Sequence, residues 1–285
     1  MDRIKAILFA KTGFGNNAFK VMQRHSLIEI VGVFTNRREE KPFPYYECEK
    51  LHDAVTKANI QLYEGLNFKK KEAQDTIKRL SPELIVVGSF DQIIPDDIIS
   101  IPRFGVINMH PSLLPKYRGA TPTVWALLNG EEETGVTVHF IENGKVDSGR
   151  IIVQARLRIH PSDNDGILRH RLAVLSEEVL LDAINTVLTT DKRGFAVQNE
   201  AEATYYPKRS LNDAEIDLGK TFKEVVNRIR AMTPHPGAFI RYNNRNYIVK
   251  SAELIKNKNL LDIPRDEKRH LILNTPEGPV KFYTL

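Results

Sequence analysis

Asn108 and His110 stand two residues apart at the end of the apolar run Gly105–His110 (GVINMH). In an extended strand that spacing turns both side chains to one face. One offers an amide donor, and the other titrates near neutrality. The pair suits acyl transfer, in which a donor meets the developing oxyanion and a base moves the proton. A structural asparagine at a strand end beside a surface histidine would look the same, so the pair needs a third group. Asp147 is the candidate. It lies in Glu142–Gly149 (ENGKVDSG), a loop between two apolar runs, with Gly149 two places on to permit a tight turn. A carboxylate there would set the tautomer of the imidazole and raise its pKa. Taken alone, Asp147 reads as an exposed turn residue.

A second pattern is Gly13-x-Gly15-x-x-Ala18, after the apolar run Arg3–Ala10 and before the helix-forming stretch Ala18–Arg24. It fits a dinucleotide fingerprint, in which glycines admit a pyrophosphate to a helix N-terminus. The acidic residue expected at the end of the second strand is missing. Thr35 and Asn36 stand there, followed by Arg37 and Arg38, which could read a 2′-phosphate. An NADP-dependent oxidoreductase is therefore an alternative. A tight strand-to-helix turn, common to open α/β sheets, is the preferred reading.

The elements around these residues follow from periodicity and turn residues. Strands are expected at 3–10, 28–35, 84–89, 105–110, 135–141 and 151–159. Helices are expected at 18–24, 48–59, 69–80, 121–128 and 164–188, with a short turn at 95–99. Strands alternating with helices imply an α/β, doubly wound and mostly parallel sheet, with 135–141 and 151–159 as an antiparallel pair at one edge. Near residue 200 the texture changes. A helix at 222–232 is followed by Pro234–Gly237 (PHPG) and by short strands at 238–242, 247–251, 271–273 and 280–285. The expected domains are 1–200, carrying the chemistry, and 201–285, a small mostly-β appendage.

The 285 residues are 41% hydrophobic and 27% charged, with 16 Gly and 15 Pro. That composition is neither disordered nor collagenous. The single cysteine, Cys48, excludes a disulfide framework and a cysteine-based zinc site, and no metal is expected. No apolar run reaches the ~18–20 residues of a membrane helix. The opening MDRIKAILFAKTG is too short in apolar residues for a signal peptide, so a cytoplasmic protein without membrane contact is expected. The net charge of +5 lies wholly in residues 201–285, with 15 Lys+Arg against 10 Asp+Glu. Residues 1–200 carry 26 of each sign. A mild basic excess can serve an anionic partner, or it can be ordinary solvated surface.

Three blocks, Asn108–Gly119 (NMHPSLLPKYRG), Thr121–Phe140 (TPTVWALLNGEEETGVTVHF) and Val146–Gly149 (VDSG), resemble in order the formyltransferases that use 10-formyltetrahydrofolate. The resemblance covers residues 1 to about 200, with a Rossmann-like fold. TYYPKR, the segment Ala214–Phe239 and YIVKSAEL resemble the C-terminal domain of methionyl-tRNA formyltransferase and of nucleotide-sugar formyltransferases. The resemblance implies a catalytic trio. Asn108 would stabilise the oxyanion, His110 would carry the proton, and Asp147 would hold the imidazole. It also implies a folate pocket from Gln92, Ile93 and Ile94 together with Asn143, Gly144, Lys145, Val146 and Asp147. The loop Ser112–Pro115 would help to shape it.

Within this resemblance the acceptor amine separates three enzymes. The purine-pathway enzyme normally lacks an appendage. The tRNA enzyme has a Gly- and Lys-rich loop after its second strand, where this chain has NRREEKPFPYYE, and a longer C-terminal domain, whereas this chain stops at Phe282–Leu285. Nucleotide-sugar formyltransferases fit better, with a shorter appendage, the KYRG loop and a Pro-aromatic segment such as Phe43–Tyr46. Some aminoarabinose-type members carry arginine after YRG, where Ala120 stands here. The expectation is formyl transfer to a nucleotide-linked amino sugar in surface-polysaccharide or lipopolysaccharide synthesis. Methionyl-tRNA formyltransferase is the alternative and the only case with a nucleic-acid partner. The β appendage offers a surface for a homodimer.

Overall fold

The computed structural model describes residues 3–37, 46–142, 145–191, 194–255, 265–267 and 270–285. Arg38, Phe43, Asn143 and Gly144, named above, lie outside the described residues. The chain runs β1 (Ile4–Ala10), α1 (Phe14–Arg24), β2 (Ile28–Thr35), α2 (Leu51–Lys57), β3 (Leu62–Glu64), α3 (Lys71–Leu80), β4 (Leu84–Gly88), α4 (Asp96–Ile99) and β5 (Val106–His110). There follow the two-residue β6 (Arg118–Gly119), α5 (Pro122–Leu128), β7 (Glu133–Phe140), β8 (Ile151–Arg158), α6 (Asp165–Thr189) and the two-residue β9 (Tyr205–Tyr206). After these come α7 (Phe222–Met232), β10 (Ala238–Tyr242), β11 (Arg245–Leu254), β12 (Arg265–Glu267), β13 (His270–Thr275) and β14 (Gly278–Thr284).

The apolar runs form a seven-stranded sheet in the order β3-β2-β1-β4-β5-β7-β8. β1, β2, β3, β4 and β5 pair in parallel, and β7 runs antiparallel to β5. This is the expected α/β class with its reversal near one edge. Every residue of β4 is buried, as a strand covered on both faces requires. β8, the outermost strand, alternates between half-buried and exposed positions along its second half. Beside the central strands an aromatic core gathers Phe9, Phe34 and Phe68 with Ile77 and Ile94.

Two compact units divide the chain. The first comprises residues 1–119, 134–158 and 169–205 and holds the seven-stranded sheet. The second comprises 120–133, 159–168 and 206–285. Its five-stranded sheet has the order β10-β11-β14-β13-β12, with each neighbouring pair antiparallel. Ile240, Val249, Leu271, Val280 and Phe282 are buried from the sheet, as are Val225, Ile229 and Met232 from α7. α7 opens on a capping box in which Thr221 and Glu224 satisfy each other's backbone N–H. α5 packs in the same unit because its apolar side chains have α7 as their neighbour. Asp165, fully buried, accepts from Thr123 Oγ1 at 2.6 Å and pairs with Arg209 at 3.4 Å.

Candidate active site

β5 ends inside the first unit with Asn108 half-buried and His110 only 4% exposed. In the β5/β7 register Asn108 faces His139, and His110 faces Thr137. All four side chains therefore share one side of the sheet. Asp147 joins them from the loop between β7 and β8. Its Oδ2 lies 3.6 Å from His110 Nδ1, and its Oδ1 lies 3.5 Å from His139 Nε2 and 3.4 Å from Asn108 Nδ2. Asn108, His110 and Asp147 are thus brought together across 39 positions of chain.

Hydrogen bonds fix the tautomers. His110 Nε2 lies 2.8 Å from the Tyr117 carbonyl, which can only accept, so Nε2 carries the proton. The lone pair of the neutral ring is then at Nδ1, on the Asp147 side. His139 Nδ1 donates to the Phe140 carbonyl at 2.8 Å, leaving Nε2 to accept from the Asn108 amide at 3.2 Å.

Burial pushes the His110 imidazole below its ordinary value of 6.5, with His139 adding to the lowering. The Asp147 carboxylate and the Tyr117 carbonyl pull it upward without overcoming burial. The expected rise is therefore reversed: the carboxylate acts in the expected direction, but the cost of charging an enclosed ring is larger. Burial also opposes ionisation of Asp147, yet the two imidazoles, when protonated, and the Gly119 N–H outweigh it. The carboxyl is held well below the usual range.

The backbone around the site is unusual. Tyr117, whose carbonyl receives His110, has φ +61°, and Asp147 has φ +55°. Gly119, whose N–H reaches Asp147 Oδ2 at 2.9 Å, has φ +96°, a region that favours glycine. Non-glycine residues in such conformations cost roughly 1–3 kcal/mol each and cluster where surrounding contacts demand them. The loop after β5 is anchored by Thr137, fully buried, which donates to the Ser112 carbonyl at 2.7 Å and accepts from the Leu114 N–H at 3.2 Å. Among the described residues no group of three or more His, Cys, Asp or Glu could hold a metal ion.

The Formyl transferase family matches residues 4–184, and the Formyl transferase C-terminal domain family matches residues 208–285. The chain belongs to the formyltransferase family. Methionyl-tRNA formyltransferase of Clostridioides difficile (strain 630) is 35% identical over 241 residues, covering 82% of this chain and 76% of its own. Among solved structures, WlaRD, a sugar 3N-formyl transferase crystallised in the presence of dTDP and 5-N-formyl-THF, has a TM-score of 0.73 at 21% identity. The alignment covers 100% of this chain and 99% of that one. The N-formyltransferase of Helicobacter canadensis, in complex with folinic acid and dTDP-3-aminofucose, also has a TM-score of 0.73, at 20% identity, covering 99% and 100%. At those identities the likeness is one of fold.

Formyltransferase membership sets aside the NADP-dependent oxidoreductase reading of the glycine pattern. Gly15 has a packing reason instead. A Cβ there would come within 2.6 Å of the Ala10 Cβ and 3.4 Å of the Gly88 carbonyl, so glycine lets α1 lie close on β1 and β4. The Arg37 side chain lies against Gly65.

The residues expected to form a folate pocket divide. Gln92 is spent inside the protein, donating to the Leu66 carbonyl at 2.8 Å and accepting from the Phe68 N–H at 3.0 Å. Ile94 is 7% exposed and belongs to the aromatic core. Ile93, by contrast, is 72% exposed and Val146 46%. Fully covering an exposed side chain of this type contributes at most roughly 1.5–3 kcal/mol, so of the expected residues these two leave apolar surface open. Lys145 extends into solvent, 3.5 Å from Glu200. The sequence reading gave no role to His139. Its signal is a histidine on the inward face of TGVTVHF, a strand otherwise buried with apolar and small residues.

Proposed function

We propose that the chain transfers a formyl group from 10-formyltetrahydrofolate to the amino group of a nucleotide-linked amino sugar, for example a dTDP-amino-dideoxyhexose, in the cytoplasm for surface-polysaccharide synthesis. The observation that carries the transfer chemistry is the 3.6 Å approach of His110 Nδ1 to Asp147, with Asn108 on the same face. When bound, the folate supplies an electrophilic formyl carbon on a nitrogen that can leave. Ile93 and Val146 offer apolar contact to its flat ring system. His110 Nδ1 takes the proton of the attacking amine, and Asp147 stabilises the imidazolium that results. The same nitrogen returns that proton to the departing folate nitrogen. Asn108 turns toward the formyl oxygen the amide N–H whose nitrogen lies 3.4 Å from Asp147 Oδ1, giving up a long and therefore weak bond for a strong one.

The acceptor is argued from charge and from the fold. Residues 1–200 are electrically balanced, whereas a tRNA reader depends on many phosphate contacts. The connection after β2 holds Glu39, Glu40 and Glu47 and no glycine. Two sugar N-formyltransferases share the fold over nearly their full lengths, which supports the reading. Sequence relatives named methionyl-tRNA formyltransferase, at 35% identity, favour tRNA as the second reading. Mass spectrometry with 10-formyltetrahydrofolate and a panel of dTDP-, UDP- and GDP-amino sugars tests the choice. One sugar is expected to gain a single formyl group. No formylated sugar, together with formylation of Met-tRNA, reverses it.

A further inference from the structure

The Asp147 carboxylate is met in front by His110, His139 and the Gly119 N–H, and its backbone is gripped from behind. At φ +55° the residue sits where a side chain bears a cost, so the loop needs an external hold. Gln198, 5% exposed, supplies one. Its Nε2 donates one proton to the Asp147 carbonyl at 2.8 Å and the other to the Gly149 carbonyl at 2.7 Å. Gly149 has no room for a side chain, because a Cβ there would collide with the Phe140 carbonyl oxygen. Gln198 Oε1 accepts from Arg118 Nε at 3.0 Å and Nη2 at 2.9 Å. Arg118 is itself buried at 3% exposure, and its Nη2 meets the Glu200 carboxylate at 2.7 Å. The residue after it, Gly119, donates to Asp147 Oδ2.

Both protons and the oxygen of the Gln198 amide are committed to these partners. A carboxylate at this position could not donate to two carbonyls, and an aliphatic side chain would take this donor from both carbonyls and the Gln198 acceptor from Arg118 Nε in a buried place. The arrangement links the loop after β5 and the segment before β9 to the single acidic residue of the site. We propose that Gln198, pinned by Arg118, is a positioning residue that holds the Asp147 carboxylate against His110 during formyl transfer. The proposal rests on the formyl-transfer reading of Asn108, His110 and Asp147, and it adds a residue that touches no reacting atom.

The test has one arm that needs turnover and one that does not. Gln198→Ala and Asp147→Asn are made singly and together and assayed with 10-formyltetrahydrofolate and the panel acceptor that is formylated. Gln198→Ala is expected to lower kcat about 10- to 100-fold with the donor KM nearly unchanged, the effect of moving a group by a fraction of an ångström. On the Asp147→Asn background it should add less than about twofold, because both changes act on one group. Full multiplication of the two losses overturns the proposal, since a purely structural glutamine would act independently of Asp147.

The second arm is amide exchange of the apo protein by NMR. The Gly119 N–H bonded to the Asp147 carboxylate should exchange about tenfold faster in Gln198→Ala, by local opening. Unchanged exchange at Gly119 overturns the positioning role even if no acceptor is ever found, so failure of the transfer reading and failure of the clamp are separable. Should Gln198→Ala not fold, Gln198→Glu keeps the partner of Arg118 and removes both donors. It must show the same exchange and the same non-additivity, and wild-type behaviour in it overturns the proposal.

Discussion

Asn108 is the residue whose removal is easiest to read. Asn108→Ala deletes one oxyanion donor and should cost about 2.7–4 kcal/mol of barrier, seen as a kcat lower by 10²–10³ in a single-turnover assay. His139→Ala removes the acceptor for that amide at 3.2 Å and a neighbour of Asp147. It should lower kcat about tenfold or more by misplacing Asn108, with the amino-sugar KM the control. The pH dependence follows from burial. His110 must be neutral to accept a proton, and its pKa lies below 6.5. The acid limb of kcat should therefore fall off below that value, with full activity above it. Asp147→Asn keeps the shape but removes the charge that lifts His110, so the limb should move further toward acid. A limb moving toward neutral pH would contradict the assignment. Asn108 and His110 were legible because a spacing of two on a strand fixes a common face. His139 became visible only through the β5/β7 register. Gln198 lies 51 positions from Asp147 and carries no local pattern that announces it.

At the scale of elements, Thr137 and Gly149 connect packing to chemistry. Thr137→Val keeps the volume but deprives the Ser112 carbonyl, the Leu114 N–H and the Gln154 amide of a partner. It should cost roughly 1–3 kcal/mol in denaturant unfolding, as buried polar groups left unsatisfied do. It should also loosen the loop that carries the Tyr117 carbonyl. Where the chain is strongly patterned, the elements followed from sequence: β2, α7 and β10 have the expected limits. α1 was foreseen from Ala18 and begins at Phe14. Its first turn is Gly- and Asn-rich, poor in helix propensity, and is held instead by Asn16 Oδ1 accepting from the Gly13 N–H at 2.9 Å. β12 was missed, since three charged residues, Arg265–Glu267, give no apolar alternation. The β10–β11 hairpin turns on Asn243 and Asn244, both with positive φ, which asparagine tolerates better than most residues.

At the scale of the whole molecule the charge distribution bears on the acceptor. A net charge of +5 confined to residues 201–285 leaves the first two hundred residues without a net charge to draw in a polyanion. The kcat/KM for the amino sugar should therefore change only slightly between about 50 and 200 mM salt, whereas a tRNA acceptor would show a steep log-linear loss over that range. No helix among the described residues is long and apolar enough to cross a membrane.

The stretch Tyr117–Gly119 touches both partners of the proton relay. The Tyr117 carbonyl anchors one side of the imidazole, and the Gly119 N–H grips the carboxylate facing the other. Base and counter-charge thus share a single three-residue mount, so neither can drift without disturbing the other. A change beneath that mount would therefore displace both halves of the relay together rather than one at a time.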